Sequence, residues 1–375
     1  MPEYTYAGVT YPSAIADVFP QASLSEDFES DGYPEVIVPL NKAYGTPVYA
    51  ALPYILLSNS NGVLSYRDDL NARLPSVFGA RRSARLEVAG KPAAFFVAHN
   101  VSGIYNDPAA HGTAVLLSEK DSGIGRVTDG VPVITTREDV PDDGTDAHSM
   151  AVGDLDGDGL DDIIIGNWNS FGGFPPQALR QQGNGQFTVS REEFWERLLS
   201  VALVNEGSEG NEGNNLLLDL HLFDANGDGL DDLVAGFGHG STPSLLFLNE
   251  NGTFVFENGE SLPTSIYGID TNLHLETRSA DLDNDGDLDL LIQHSRLEPY
   301  YGGNYLQVLR NDDGLFIDMT ESALAQSDEY IFGDRLNWSG DVFLRDLDND
   351  GLLDILYGLH DGSLVAHFNK GSFSF

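Results

Sequence analysis

Short apolar runs recur along the chain at the intervals a repeat would produce. They read Val36-Ile37-Val38, Ala94-Phe95-Phe96-Val97, Ile163-Ile164-Ile165, Leu233-Val234-Ala235, Leu290-Leu291-Ile292 and Ile355-Leu356-Tyr357. Runs of this length, bounded by polar turns, predict buried strands rather than helices. Each is followed by a second signature of apolar strand, polar turn and apolar strand. These segments run from Tyr54 to Leu64, Thr113 to Gly123, Ala178 to Phe187, Ser244 to Phe254, Tyr305 to Phe316 and Ser363 to Phe373. The Asn-Gly, Asp-Gly and Lys-Gly pairs inside them are hairpin turns. One helix interrupts the β pattern. Ser190-Arg-Glu-Glu193 is a capping box, after which Phe194, Leu198, Leu199 and Ala202 share a helical face. A shorter helical turn is expected between Glu321 and Gln326, and the acidic, Gly-rich run from Asn205 to Asn215 reads as a solvated loop.

The polar positions just before the apolar runs are as regular as the runs. Asp154-Leu-Asp156-Gly-Asp158-Gly159-Leu160-Asp-Asp162 precedes the third, and Asp224-Ala-Asn226-Gly-Asp228-Gly229-Leu230-Asp-Asp232 the fourth. Asp281-Leu-Asp283-Asn-Asp285-Gly286-Asp287-Leu-Asp289 and Asp346-Leu-Asp348-Asn-Asp350-Gly351-Leu352-Leu-Asp354 precede the fifth and sixth. Oxygen side chains at positions 1, 3, 5 and 9 of a tight loop suit a hard cation such as calcium, and glycine at position 6 permits the sharp turn. An EF-hand opens the same way, but it needs a glutamate at position 12 and a following helix; here position 12 of the first loop is Ile165 in a β-branched run. A weaker copy spans Asp27, Glu29, Asp31 and Glu35. A decayed one begins at Arg85, where Arg85 and Ala89 replace ligands, and is expected to hold no metal.

Loop starts at 27, 85, 154, 224, 281 and 346 mark the repeat. Each unit then holds strand, loop, strand, connection, strand, hairpin and strand. Four-stranded units repeated in this way close into a β-propeller, whereas a single unit is too small to bury its own core in a sandwich. The fold expected is therefore all-β, one propeller over residues 23–375 with six blades, seven being the rival. Residues 1–22 form an N-terminal extension that could add a strand to the closing blade.

Charge changes the picture in two ways. The 375 residues carry 59 acidic against 19 basic side chains, a formal net charge of −40. That excludes a nucleic-acid binder and disfavours anionic membranes. The four strong loops hold close to a third of the acid, packed where it would repel itself without a cation. There is no cysteine, so no disulfide contributes, and no apolar stretch approaches the ~20 residues of a membrane span. The first residues lack the basic and apolar regions of a signal peptide, so a leader is absent from this sequence or export takes another route.

These loops and strands resemble the FG-GAP/VCBS repeat family, the integrin-α-type propellers, and lean to its bacterial VCBS branch, because Phe78-Gly79-Ala80 and Phe332-Gly333 are only fragments of the Phe-Gly and Gly-Ala-Pro signatures. The resemblance covers about residues 20–375. It implies calcium in the loops, a secreted or cell-surface setting, and ligand binding on the face opposite the metal. Carried over by position, the ligands are Asp154, Asp156, Asp158 and Asp162; Asp224, Asn226, Asp228 and Asp232; Asp281, Asp283, Asp285 and Asp289; and Asp346, Asp348, Asp350 and Asp354. The backbone carbonyls of Leu160, Leu230, Asp287 and Leu352 would complete them. A fifth site at Asp27, Glu29, Asp31 and Glu35 stays open, because glutamate departs from the pattern.

The irregular residues of the opposite face supply the candidate ligand contacts: Tyr105, Trp168, Asn169, Phe171, Phe174, His294, Arg296, Tyr300 and Tyr301. Aromatics beside amides and charges can stack on sugars and hydrogen-bond hydroxyls, or simply pack the loops. Histidines recur near the end of the second strand, at His99, His239, His294 and His360. They could converge on a second metal or an acid–base centre, though a repeated structural position explains them more simply. No nucleophile elbow, phosphate loop or HExxH motif is present. The leading expectation is a calcium-stabilised, lectin-like or adhesive module for glycan or protein. The alternatives are a polysaccharide-active, lyase-like enzyme using His294, Arg296 and Tyr301, and a structural segment of a larger exported protein or assembly.

Overall fold

The computed structural model describes the backbone of residues 4–6, 9–11, 18–20, 23–28, 32–42, 52–66, 68–71, 76–77, 80–98, 115–120, 123–126, 136–137, 140–144, 147–167, 176–190, 192–202, 216–238, 240–299, 301–334, 339–359 and 363–375. The chain divides into two compact units. One comprises Met1–Val152 and Leu160–Arg191, the other Gly153–Gly159 and Glu192–Phe375.

The first unit holds three larger antiparallel sheets beside two short ribbons, Tyr4–Tyr6 with Val9–Tyr11 and Thr136–Arg137 with Val140–Gly144. Leu24–Glu26, Glu35–Lys42, Leu52–Ser60 and Val63–Tyr66 make the first. Ala80–Val88, Lys91–Ala98, Val115–Lys120 and Gly123–Arg126 make the second. Ala147–Gly153, Asp162–Asn167, Gln177–Gln181 and Phe187–Ser190 make the third. The N-terminal extension contributes Val18–Pro20, which pairs with Leu40 to Lys42 in the first sheet.

The second unit continues the pattern. Leu216–Phe223, Asp232–Gly238, Leu245–Phe247 and Glu260–Ser261 form one four-stranded array, and Asn272–Ala280, Asp289–Arg296, Gly302–Asp312 and Leu315–Asp318 the next, the two joined at the single pair Gly238–Leu273. Ser339–Arg345, Asp354–Leu359 and Leu364–His367 complete it.

The core lies between sheets, which explains why the apolar runs do not alternate with polar residues. Leu290 and Ile292 pack with Phe223, Val234 and Leu246 of the preceding sheet. Leu291, pointing the other way, packs with Val342, Leu344 and Ile355 of the following one. Successive strand residues face opposite sides, so a strand buried on both faces must be apolar at every position. The first unit does the same: Phe95, Ile163 and Ile165 share one cluster, while Phe96 and Ile164 are also fully buried.

The expected helix spans Glu193–Ala202. It buries Phe194, Trp195 and Leu198, with Phe194 edge-on to Phe247 at 5.0 Å. The second helical turn is Thr320–Ala323. Among the described residues no helix is long and apolar enough to cross a membrane.

Candidate metal loops

Each loop is shaped by its first aspartate, which turns back on the chain. Asp224 accepts the N–H groups of Asp228 at 3.1 Å and Gly229 at 2.9 Å. Asp281 does so for Asp285 and Gly286, both at 3.1 Å, and Asp346 for Asp350 and Gly351 at 3.2 and 3.0 Å. Asp154 accepts from Gly157, Asp158 and Gly159. The turn needs two left-handed residues, at positions 4 and 6. Position 6 is always glycine, with φ of 87° at Gly229 and 106° at Gly286. Position 4 is glycine or asparagine, Asn284 at 62° and Asn349 at 63°, the non-glycine residue that tolerates this region best.

Position 9 sits at the start of the next strand, buried. Asp232, Asp289 and Asp354 are all 0% exposed. One carboxylate oxygen of each accepts the N–H of position 2 in its own loop, from Ala225, Leu282 and Leu347 at 2.8 to 2.9 Å. Burial nevertheless pushes the Asp232 and Asp289 carboxyls up to about 6, against these hydrogen bonds.

A family model described as FG-GAP-like repeat matches residues 224–292 and 281–357, and one described as FG-GAP repeat matches residues 147–189. Residues 147–189 and 224–357 therefore carry FG-GAP repeats. No curated protein matches the chain. Among solved structures, the Bacillus licheniformis rhamnogalacturonan lyase PL11 aligns over 96% of this chain at 15% identity and a TM-score of 0.40. The exotype rhamnogalacturonan lyase YesX aligns over 80% at 15% identity and a TM-score of 0.34. This chain covers 58% of the length of each.

The FG-GAP loops can hold a metal ion. Asp281, Asp283 and Asp285 each offer an oxygen within 4.8 Å of the others, as do Asp346, Asp348 and Asp354. The donor set is all oxygen, with no basic side chain in either loop. Asp283 Oδ1 is buried without a hydrogen-bond partner, and its carboxyl is raised by burial and by the charge of Asp285. An orphaned carboxylate oxygen beside two others is what a cation would satisfy. Of the remaining expected ligands, Asp154, Asp156 and Asp158 belong to the second unit, and Leu160 and Asp162 to the first. Asp162 is buried and meets Arg180 Nη1 at 3.1 Å. Asp27 caps Gly32 at 2.8 Å and Glu35 accepts from Phe28 at 2.9 Å, the same two bonds as in the strong loops; Glu29 and Asp31 lie outside the described residues. At the decayed copy the loop has shrunk to the turn Ala89-Gly90. Lys91 pairs directly with Val88 there, and Arg85 is bonded to Glu26 at 2.9 Å.

Two features of the FG-GAP units carry no motif. The first is an amide. Asn249 and Asn369 follow the third strand of their repeats and Asn311 lies in its last residues; all three are buried. Each donates its backbone N–H to position 9 of its own loop, at 2.7, 2.9 and 2.8 Å. Each side-chain amide then donates to the position 8 carbonyl of its own loop and the position 2 carbonyl of the preceding one. Gln181 repeats this in the first unit, reaching Glu87 and Asp161. The second feature is the extra aspartate of the Asp-Asp pairs. Asp161 accepts from Glu87 N at 2.6 Å, and Asp231 from Asp154 N at 2.8 Å. Both bonds reach back to the preceding repeat.

The expected ligand face fares differently. His294 is 2% exposed, its Nε2 paired with Gln307 Oε1 at 2.9 Å, and burial holds its imidazole well below the usual range. His274 is fully buried between Ser244 and Thr277, and burial lowers His221 to about 4. Burial thus holds His221 and His294 neutral, and all three rings make hydrogen bonds within the fold. Arg296 is also committed, donating Nη2 to the carbonyls of Phe332 and Gly333. Tyr301 is half-buried at a φ of 54°. Tyr105, Trp168, Asn169, Phe171, Phe174 and Tyr300 lie outside the described residues, as do His99, His239 and His360.

Proposed function

We propose that the chain is a calcium-stabilised binding module, secreted or displayed at a cell surface, in which six four-stranded blades make one propeller and the connections opposite the metal recognise a glycan or protein. The oxygen-only clusters around Asp283 and Asp348 support the calcium reading. Sites of this kind in extracellular modules bind in the ~10⁻⁴–10⁻³ M range, which suits millimolar calcium outside cells.

One observation supports binding over catalysis: the groups that a lyase reading would use are spent on structure. His294 is buried, and Arg296 clamps the 332–333 backbone. What this clamp builds is a presentation surface. Gly303 N bonds Asp334 O at 3.3 Å, the Tyr267 hydroxyl holds Ile331 O, and Phe332 lies edge-on to Tyr267 while 47% exposed. Ile266 beside it is 51% exposed. Aromatic anchors contribute much of the energy at recognition surfaces.

The test is capture on a printed glycan array, with the chain and its Trp168→Ala/Tyr301→Ala and Phe332→Ala variants. Binding by the chain in calcium, lost in either variant without loss of fold, is the expected result. Unchanged capture by both variants would reject this face. Incubation with acidic polysaccharides, read by the ultraviolet absorbance of unsaturated products, should show no turnover.

A further inference from the structure

The buried amides do more than close hairpins, because of what they touch at each end. Asn311 donates its N–H to Asp289 Oδ1 at 2.9 Å and its Nδ2 to Ala225 O at 2.7 Å and Leu288 O at 3.1 Å. Ala225 lies between the first two ligand positions of the preceding loop, and its own N–H donates to Asp232. A continuous path therefore runs from the Asp232 carboxylate through residue 225 and the Asn311 amide to the Asp289 carboxylate. Asn369 repeats the path from Asp289 through Leu282 to Asp354, and Asn249 starts it at Leu155. The amide has no freedom to turn. Both of its protons are committed, and Oδ1 accepts the hairpin N–H of Gly314 at 2.8 Å, as Asn249 does for Gly252 and Asn369 for Gly371.

We propose that the metal loops of the second unit bind as a coupled set, with the amides of Asn311 and Asn369 transmitting order from one loop to the next. A cation in loop 224–232 fixes the peptide at position 2. That peptide fixes the amide, and the amide fixes the buried carboxylate of loop 281–289. The second cation then meets a loop already ordered and loses less conformational entropy on binding, which is positive cooperativity. The inference rests on the proposal that these loops bind calcium and goes beyond it.

The experiment is calcium titration of the full chain by calorimetry, with Asp281→Ala, Asn311→Ala and their combination. In the starting protein the isotherm should be cooperative, with a Hill coefficient above one. Emptying the middle loop by Asp281→Ala should weaken the sites that remain by about fivefold or more, the lower range of allosteric coupling. Asn311→Ala should keep the number of sites and lower the Hill coefficient by cutting the link between loops 224–232 and 281–289, and adding it to Asp281→Ala should weaken the remaining sites little further. Circular dichroism in calcium checks the fold of each variant; where Asn311→Ala does not fold, the Asp281→Ala titration decides alone. Independent sites whose affinity is unmoved by Asp281→Ala overturn the coupling and leave calcium binding intact. Absence of any calcium heat overturns both.

Discussion

Asn249 offers a stability test whose size follows from its contacts. Substitution to alanine removes the side-chain donations to Leu155 O and Asp231 O, each 3.0 Å, and the acceptor for Gly252 N at 2.8 Å. The backbone bond to Asp232 survives. Three hydrogen bonds at a site 3% exposed contribute roughly 1 kcal/mol each, and buried groups left unpaired add to that. The expected loss is about 3–4 kcal/mol, or on the order of 10 °C in melting temperature for a unit of this size. Asn249→Asp should do no better: it keeps the acceptor for Gly252, loses both donors, and adds a charge beside Asp232. The matched control is Asn184→Ala. That residue is exposed and, among the described residues, its side chain bonds to Gln186 at 3.0 and 3.2 Å, so its loss should stay within about 0.5 kcal/mol. Urea unfolding at constant calcium measures all three. A loss at Asn249 no larger than at Asn184 would show that the inter-repeat amide is incidental.

Other outcomes follow from the same geometry. Chelation with EDTA should lower the melting temperature sharply, because the clustered carboxylates repel once no cation joins them; an unchanged melt would remove calcium from the account. The calcium-induced rise should grow between pH 5 and pH 7. The folded Asp232 and Asp289 carboxyls sit at about 6, above the unfolded value near 3.8, so without metal their contribution is fully present below pH ~4 and is lost as pH rises through 6. Calcium offsets that loss by displacing the proton. Neutral His221 and His294 act oppositely, losing stability as pH falls below about 6.5, but equally with and without metal, so the difference isolates the carboxylates. An equal calcium shift at pH 5 and pH 7 would refute this. Gly153→Ala should destabilise as strongly as a core substitution, since its Cβ would lie 2.2 Å from Asp231 Oδ2 and push away the acceptor of Asp154 N; a change under about 0.5 kcal/mol in the same urea assay would show the contact to be soft.

What could be read from the residues was whatever repeats in type. The Asp-x-Asp-x-Asp-Gly loops, the apolar runs behind them and the helical stripe after Glu193 all encode local geometry, and the folded chain has each where the pattern put it. Trp195 on the helix was missed because the apolar face is wider than the Phe194–Leu198–Ala202 stripe. Asn249, Asn311 and Asn369 were hidden in plain sight. Their polarity beside a glycine turn reads as turn propensity, and their partners are backbone carbonyls, which have no sequence signature. The first aspartate of each Asp-Asp pair, Asp161 and Asp231, disappeared into the general acidity for the same reason. His294 and Arg296 misled in the opposite direction: polar residues at a strand end look available, but a strand buried on both faces draws them inward and gives them partners in the next element.

The two-sided burial of Asp289–Arg296 also limits how such a chain can change. Deleting one residue within that strand would exchange the side chains facing the Phe223 cluster for those facing the Val342 cluster, disrupting two cores at once. Insertions and deletions should therefore be tolerated in connections or as whole repeats, and scarcely anywhere between. The module of inheritance is thus the seam between neighbouring sheets, and the sheet itself is only half of two such modules.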